Sequence, residues 1–171
     1  PPRSTLFPYT TLFRSELEVD YRMTEYLKLG VSLSNLDGKV TKLDPSVPVG
    51  VAVEGERLSG SAELTHTFYV DYVRPVRNDM DMSVRLTQRY IGDRLSAMGS
   101  GGSVQAANVI PSYDTTDLRI GFNHSNGIEA SLFVNNMFNN ISYTWIENMP
   151  QYTRWRTTLP KVMGLNVSYK F

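Results

Sequence analysis

Glu16–Leu33 reads ELEVDYRMTEYLKLGVSL, and its alternation decides the fold class. The odd positions Leu17, Val19, Tyr21, Met23, Leu27, Leu29, Val31 and Leu33 are apolar, interrupted by Glu25. The even positions run Glu16, Glu18, Asp20, Arg22, Thr24, Tyr26, Lys28, Gly30, Ser32, and most are charged or small. A period of two marks a β-strand with two unlike faces. Read as a single strand, the stretch would reach about 60 Å. Globular strands usually stop near five or six residues, so this length points to a large barrel.

Five further segments repeat the pattern. Ser61–Arg74 sets Ala62, Leu64, His66, Phe68, Val70 and Tyr72 against Glu63, Thr65, Thr67 and Asp71. Asp79–Leu95 sets Met80, Met82, Val84, Leu86 and Tyr90 against Asp81, Ser83, Arg85, Thr87 and Arg89. Tyr113–Asn123 opposes Leu118, Ile120 and Phe122 to Asp117, Arg119 and Gly121, and Ile128–Phe138 opposes Ala130, Leu132 and Val134 to Glu129, Ser131 and Asn135. Thr157–Phe171 places Leu159, Met163, Leu165, Val167, Tyr169 and Phe171 opposite Thr158, Gly164, Asn166, Ser168 and Lys170.

The connections alternate in length. Pro75–Asn78 and Ser125-Asn126-Gly127 are tight, the latter through the positive φ that Asn-Gly readily supplies. Asn35–Gly60, Ser96–Ser112 and Asn139–Arg156 are long and hold Pro45, Pro48, the run Gly99-Ser100-Gly101-Gly102, Pro111 and Pro150. Short turns at one rim and long loops at the other characterise an outer-membrane barrel. Burying the charged face in a dry sandwich core would cost several kcal/mol for each unpaired group. Exposing six strands of Leu, Val, Phe and Met to water is equally untenable. The expected fold is therefore all-β: an antiparallel, up-and-down transmembrane β-barrel fragment of about six long strands, forming an open curved sheet. Its apolar face meets outer-membrane lipid and its polar face a wet lumen.

No apolar run approaches the ~18 residues of a membrane-spanning helix, and barrel strands carry a far weaker hydropathy signal. The absence of cysteine excludes disulfides, thiolate metal sites and cysteine nucleophiles. Pro1–Ser15 (PPRSTLFPYTTLFRS) matches, codon for codon, the translation of a common short-read sequencing adapter, so it is set apart as non-native. It is expected to be irregular or to pair opportunistically with a sheet edge. Without Arg3 and Arg14 the balance is 15 basic against 17 acidic residues. Residues 16–171 are read as the C-terminal part of a barrel whose earlier strands lie upstream.

Four motifs resemble one family. Pro111-Ser112-Tyr113-Asp114 with Asp117-Leu118-Arg119-Ile120-Gly121 is similar to the penultimate-hairpin entry of TonB-dependent receptors. Ala130–Asn139 (ASLFVNNMFN) resembles their "xLFVNNLFD" strand, Arg89–Arg94 (RYIGDR) their "RYVGD" ascent into an extracellular loop, and Gly164–Phe171 (GLNVSYKF) their final strand. The resemblance covers most of Glu16–Phe171. It implies a plugged barrel of twenty-two strands in the bacterial outer membrane, importing a siderophore, cobalamin, haem or glycan with energy from the TonB complex. Neither the plug nor an energy-coupling box is present in this sequence, so the chain alone is not expected to transport. The aromatic final strand, with Leu165, Val167, Tyr169 and Phe171 on one face, is implied to be the signal for the barrel-assembly machinery. A passive porin-type barrel without a plug is the alternative.

Candidate ligand contacts lie in the aromatic connection: Tyr143, Trp145, Tyr152, Arg154 and Trp155, with Arg156 beside them. Aromatic and guanidinium groups together can stack on a planar, cationic or sugar surface; the competing reading is the aromatic girdle at headgroup depth. The charges Asp81, Arg85, Arg89, Asp117, Arg119 and Glu129 are expected to pair with one another across strands. No catalytic or metal-binding residues are assigned. His66 and His124 are isolated, no serine or carboxylate sits at motif spacing from either, and the glycine run lacks a following lysine. No enzyme, cofactor or nucleic-acid partner is expected.

Overall fold

The computed structural model describes residues 9–43, 52–97, 109–149 and 151–171. Pro45, Pro48, Pro150 and the glycine run at 99–102 lie outside them, as do residues 1–8. Every described element is a strand. The first four are β1 (Tyr9–Arg22), β2 (Leu27–Lys42), β3 (Leu64–Arg77) and β4 (Met80–Ile91). A short pair follows, β5 (Arg94–Leu95) and β6 (Val109–Ile110), then β7 (Tyr113–His124) and β8 (Ile128–Asn135). The chain ends with β9 (Tyr143–Met149), β10 (Tyr152–Thr157) and β11 (Val162–Tyr169). Seven of them form one sheet in the order β1-β2-β3-β4-β7-β8-β11. Neighbours in it are antiparallel. β1 and β11 are its two edges, so the sheet is open.

The sheet has seven strands rather than six because Glu16–Leu33 is a hairpin, not one strand. Met23–Tyr26 reverses the chain, with the Thr24 hydroxyl accepting from the amides of Tyr26 (3.2 Å) and Leu27 (3.0 Å). The pairing explains why the alternation runs through the turn unbroken. Arg22 faces Lys28, Val19 faces Val31 and Leu17 faces Leu33, so odd residues always meet odd residues. The apolar face passes through the reversal unchanged.

The strands are long even so, at 14 and 16 residues for β1 and β2. β2 continues through Asn35–Lys42, where a loop was expected, and this extension pairs with Tyr9–Ser15 of the leading segment. Ser61–Gly92 keeps its expected faces, with Leu29 opposite Val70, Val70 opposite Leu86, and Leu86 opposite Leu118. The last strand starts at Val162 instead of Thr157. Pro160 has no amide to donate, and the Thr158 amide and hydroxyl are bound to Ser142. Leu159 therefore precedes β11 and lines a hollow on the polar side.

Within the seven-stranded sheet the tight turns at Met23–Tyr26, Asn78–Asp79 and Ser125–Gly127 lie at one rim. At Ser125–Gly127 only Gly127 takes positive φ, 91°. Its amide closes the turn on the His124 carbonyl at 3.0 Å. The Gly127 carbonyl then receives the Lys170 amide (2.9 Å), which ties the end of the chain to this rim.

Two glycines on the polar face are covered by rings. The Tyr69 ring lies over Gly30, where a Cβ would fall 2.2 Å from it, and the Phe133 ring lies over Gly164 at 2.4 Å. Each pair is directly opposite in its ladder. Tyr69 is further held by its hydroxyl bond to Asp20 and by Lys28 and Arg85, 5.6 and 4.8 Å from its ring centre. Gly30→Val should destabilise the folded sheet by about 1–3 kcal/mol through overpacking. Adding Tyr69→Ala should recover part of that loss, as measured by urea unfolding in detergent.

Candidate functional site

The rim with the long connections holds the packed part of the molecule. Among the described residues the buried apolar side chains are Val40, Ala52, Leu95 and Ile110, and all lie there. The Arg89–Arg94 motif builds the transition from sheet to rim. Tyr90 stacks on His66 with centroids 4.9 Å apart. Gly92 donates to the Leu64 carbonyl at 2.8 Å and passes so close that a Cβ would meet that oxygen. Asp93 receives the Arg57 guanidinium at 2.8 Å, while Arg57 also binds Glu63 at 2.9 Å. Arg94 turns inward and is buried, donating to the Thr144 carbonyl (2.8 Å) under the Tyr113 ring.

A second device sits after β8. Asn136 takes φ 49° and Asn139 φ 54°, a left-handed region that Asn tolerates better than most residues. The buried Asn136 amide group donates to the carbonyls of Leu159 (2.8 Å) and Asn140 (3.1 Å) and accepts from the Asn140 amide (2.9 Å). Its backbone amide binds Asp117 Oδ1 at 2.8 Å. The Asn-Asn pair thus knots β7, the end of β8 and the approach to β11 together.

The aromatic segment expected to be a loop is instead the hairpin β9–β10. Arg94 holds it at Thr144, and the Ser96 hydroxyl accepts from the Ile146 amide at 3.2 Å. Trp145 pairs with Arg156 and Ile146 with Trp155, but Tyr143 pairs with Thr157, which leaves Thr144 as an extra residue. Alternation sets Trp145, Tyr152 and Arg154 on one side and Trp155 on the other, and the bulge brings Tyr143 to the side of Trp155. Tyr143 packs edge-on to Trp155 at 6.2 Å. Arg156 lies 5.5 Å from the Trp145 ring, and Arg154 lies 5.4 Å from the Tyr152 ring. Tyr143, Tyr152 and Trp155 are exposed. Beneath the hairpin a hollow of about 540 Å³ is lined by Arg89, Tyr113, Asn135, Asn136, Thr144 and Thr157, among others.

Leu165, Val167 and Tyr169 lie on the apolar face of β11, opposite Leu132, Ala130 and Ile128, and Phe171 extends just past it beside Tyr169. Of the polar-face charges, Arg85 reaches Asp71 (3.4 Å) and Glu129 reaches Lys170 (2.6 Å). Asp117 is engaged by a backbone amide. Arg85 and Arg119 face one another directly, and Arg89 and Arg119 make no ion pair among the described residues. Among the described residues none of the six charges expected to pair with one another does so: Arg85 and Glu129 find partners outside the set, and the ladder sets Arg85 against Arg119.

No family model matches the chain, and no curated protein sequence matches it. Solved structures do. The ferric yersiniabactin uptake receptor FyuA from Yersinia pestis superposes with a TM-score of 0.76 at 15% identity over 95% of this chain and 24% of its own. The siderophore receptor PiuA from Acinetobacter baumannii gives 0.70 at 17% identity over 95% of this chain and 22% of its own. The ferric-catecholate import receptor Fiu from E. coli gives 0.64 at 20% identity over 89% and 20%. The chain shares its fold with these receptors. It spans about a quarter of their length or less.

Two outcomes test the rim. Asn136→Ala removes the three side-chain hydrogen bonds of Asn136 and forces a β-carbon-only residue to positive φ, so it should cost about 2–4 kcal/mol in urea unfolding; Asn136→Gly should cost less. The Arg57 guanidinium hydrogen-bonded to Asp93 holds that carboxyl below its ordinary value. A lowered folded-state pKa gives stability that is present above the unfolded value near 4 and lost as pH falls through the folded one. Arg57→Gln should flatten that acid limb of the unfolding curve.

Proposed function

We propose that this chain is part of the barrel wall of a bacterial outer-membrane receptor that imports a scarce ligand with energy delivered through TonB. A single observation carries the reading: one continuous sheet face is apolar yet uncovered, and the opposite face carries the charges. The chain that forms it superposes on a ferric yersiniabactin uptake receptor over 95% of its length. In this reading the apolar face meets lipid, the tight turns lie in the periplasm and the long connections face outward. Leu165, Val167, Tyr169 and Phe171 form the strand presented to the barrel-assembly machinery. The plug and energy-coupling segment would belong to upstream sequence, with residues 1–15 foreign to it and residues 16–171 native.

Ligand contact is assigned to the β9–β10 hairpin through Tyr143, Trp145, Tyr152, Arg154 and Trp155. The matched proteins are receptors for iron chelates by their descriptions, which favours a siderophore over cobalamin, haem or a glycan. Nothing in the arrangement supports an enzyme. A plugless porin would share the wall but would need no anchored aromatic hairpin above it. Deleting the gene from its host should impair growth under iron limitation and leave growth under carbon limitation unchanged. Complementation with Trp145→Ala and Arg154→Ala together should restore less than wild type. Normal iron-limited growth of the deletion strain would count against the siderophore assignment.

A further inference from the structure

The apolar face carries two cations at its turn-side end that the uptake reading does not use. Along β3 that face runs Phe68, Val70, Tyr72 and then Arg74, which stands opposite Met82. Strict alternation would send Arg77 to the polar face, but the register shifts between Pro75 and Arg77 and sets Arg77 opposite Met80. A bulge re-aims a side chain in this way. Met82 and Met80 in turn face Phe122 and His124 of β7. Both arginines therefore leave the sheet on the apolar side, about 7 Å apart along the strand. Both are exposed, and neither makes an ion pair among the described residues. The nearby carboxylates are engaged elsewhere or on the other side. Asp79 is taken by His124 at 3.1 Å, Asp81 sits on the polar face opposite Pro75 and Asn123, and Glu25 lines the polar-side hollow with Arg22 and Lys28. On β2 the apolar run ends at Leu27, opposite Tyr72, so Arg74 and Arg77 lie just beyond the belt.

A guanidinium on a lipid-facing wall is costly at the bilayer centre and nearly free at its boundary, where the stem lies on apolar neighbours and the head reaches the polar layer. At that depth the counter-charge is lipid phosphate, to which guanidinium makes paired, charge-assisted hydrogen bonds. The Tyr26 ring lies 5.8 Å from the Arg74 guanidinium, and Tyr72 precedes it on the same face. Such amphipathic rings settle at headgroup level. We infer that Arg74 and Arg77 form a docking site for the phosphodiester of an anionic glycerophospholipid in the turn-side leaflet. Two adjacent cations with no carboxylate between them favour a head of net negative charge over a zwitterionic one, whose ammonium they would repel. The inference rests on the reading that the apolar face meets lipid, and not on the identity of the imported ligand.

The test titrates the 171-residue chain, in a non-ionic detergent at low ionic strength, with dihexanoyl-phosphatidylglycerol, followed by the phosphorus resonance of the lipid. Saturable binding is expected, tighter than for dihexanoyl-phosphatidylcholine. Each cation beside an anionic lipid surface is worth roughly fivefold in affinity, so Arg74→Gln and Arg77→Gln should each weaken phosphatidylglycerol about fivefold and the double variant about twentyfold. Lys39→Gln, at the opposite rim, should leave binding unaltered, and far-UV circular dichroism should show equal strand content in all variants. Inorganic phosphate at the same concentration should not compete. Equal affinity for the two lipids, a double variant that binds as Lys39→Gln does, or displacement by inorganic phosphate overturns the site. Flotation with phosphatidylcholine vesicles separates the two readings, because it needs only the apolar face. A chain that fails to float refutes the lipid-facing reading and the site with it. One that floats without preferring phosphatidylglycerol refutes the site alone.

Discussion

The whole arrangement depends on one constraint: the sheet has two unlike faces and no core of its own. Each register in the seven-stranded sheet keeps apolar residues beside apolar ones, from Leu17 with Leu33 to Leu132 with Leu165. The parity changes between β2 and β3 and again between β8 and β11, where odd residues pair with even ones, yet the sequence changes parity with it. A slip of one residue at any ladder would turn a row of Leu and Val onto the charged side. The register is thus specified by burial that the sheet alone does not provide. Something apolar must meet that face, and a lipid bilayer supplies it without any further polypeptide.

Because the faces are set by local alternation, they were legible in the sequence, and so were the tight-turn rim and the aromatic last strand. The first hairpin was not. Its turn, Met23-Thr24-Glu25-Tyr26, contains no Gly, Pro or Asn, and it preserves parity, so hydrophobic periodicity could not register it. The one irregularity on the apolar side is Glu25, and it marks the turn. The β9–β10 hairpin was hidden for the opposite reason. Its two faces do not differ in polarity, with Trp145, Glu147, Arg154 and Arg156 on one and Ile146, Thr153 and Trp155 on the other, so a paired ribbon reads as aperiodic loop. Arg94, Asn136 and Asn140 were missed as organising residues because their roles come from hydrogen bonds across 50, 23 and 26 positions of chain. Only a polar residue that is later found buried reveals such a role.

Glycine and asparagine do distinct work on this scaffold. Gly30, Gly92 and Gly164 make room: two accept an aromatic ring flat against the strand, and one accepts a backbone carbonyl. A ring seated on a strand glycine restores packing that the glycine would otherwise forfeit. Asn136 and Asn139 shape the chain instead, taking positive φ while their side chains bond across to other segments. The exposed candidates on the hairpin rest on these parts. Tyr152 and Trp155 can be presented to solvent because Arg94, Ser96 and Asn136 hold the base of the ribbon in place.

The apolar belt also reports how the strands lie. On β2 the apolar residues continue up to Leu33, and the ladder carries that level across to His66, Tyr90 and Asp114. On β7, however, the apolar run already ends at Leu118, four residues short of Asp114. The belt therefore slides toward the turn rim by four residues over three strand pairings. Strands tilted by about 40° and spaced about 4.8 Å apart shift by roughly 1.2 residues per pairing relative to a level plane, close to the slide observed. A flat slab with level boundaries, crossed by tilted strands, produces that offset, whereas a sandwich partner following the strand direction would not. The same tilt leaves the stacked His66–Tyr90 pair beyond the last aliphatic residue of β4, Leu86, on the side of the long connections, where an aromatic pair tolerates both lipid and water. It puts Arg85 and Arg119, close to the middle of the belt, on the opposite wall at a depth that only a wet interior could serve.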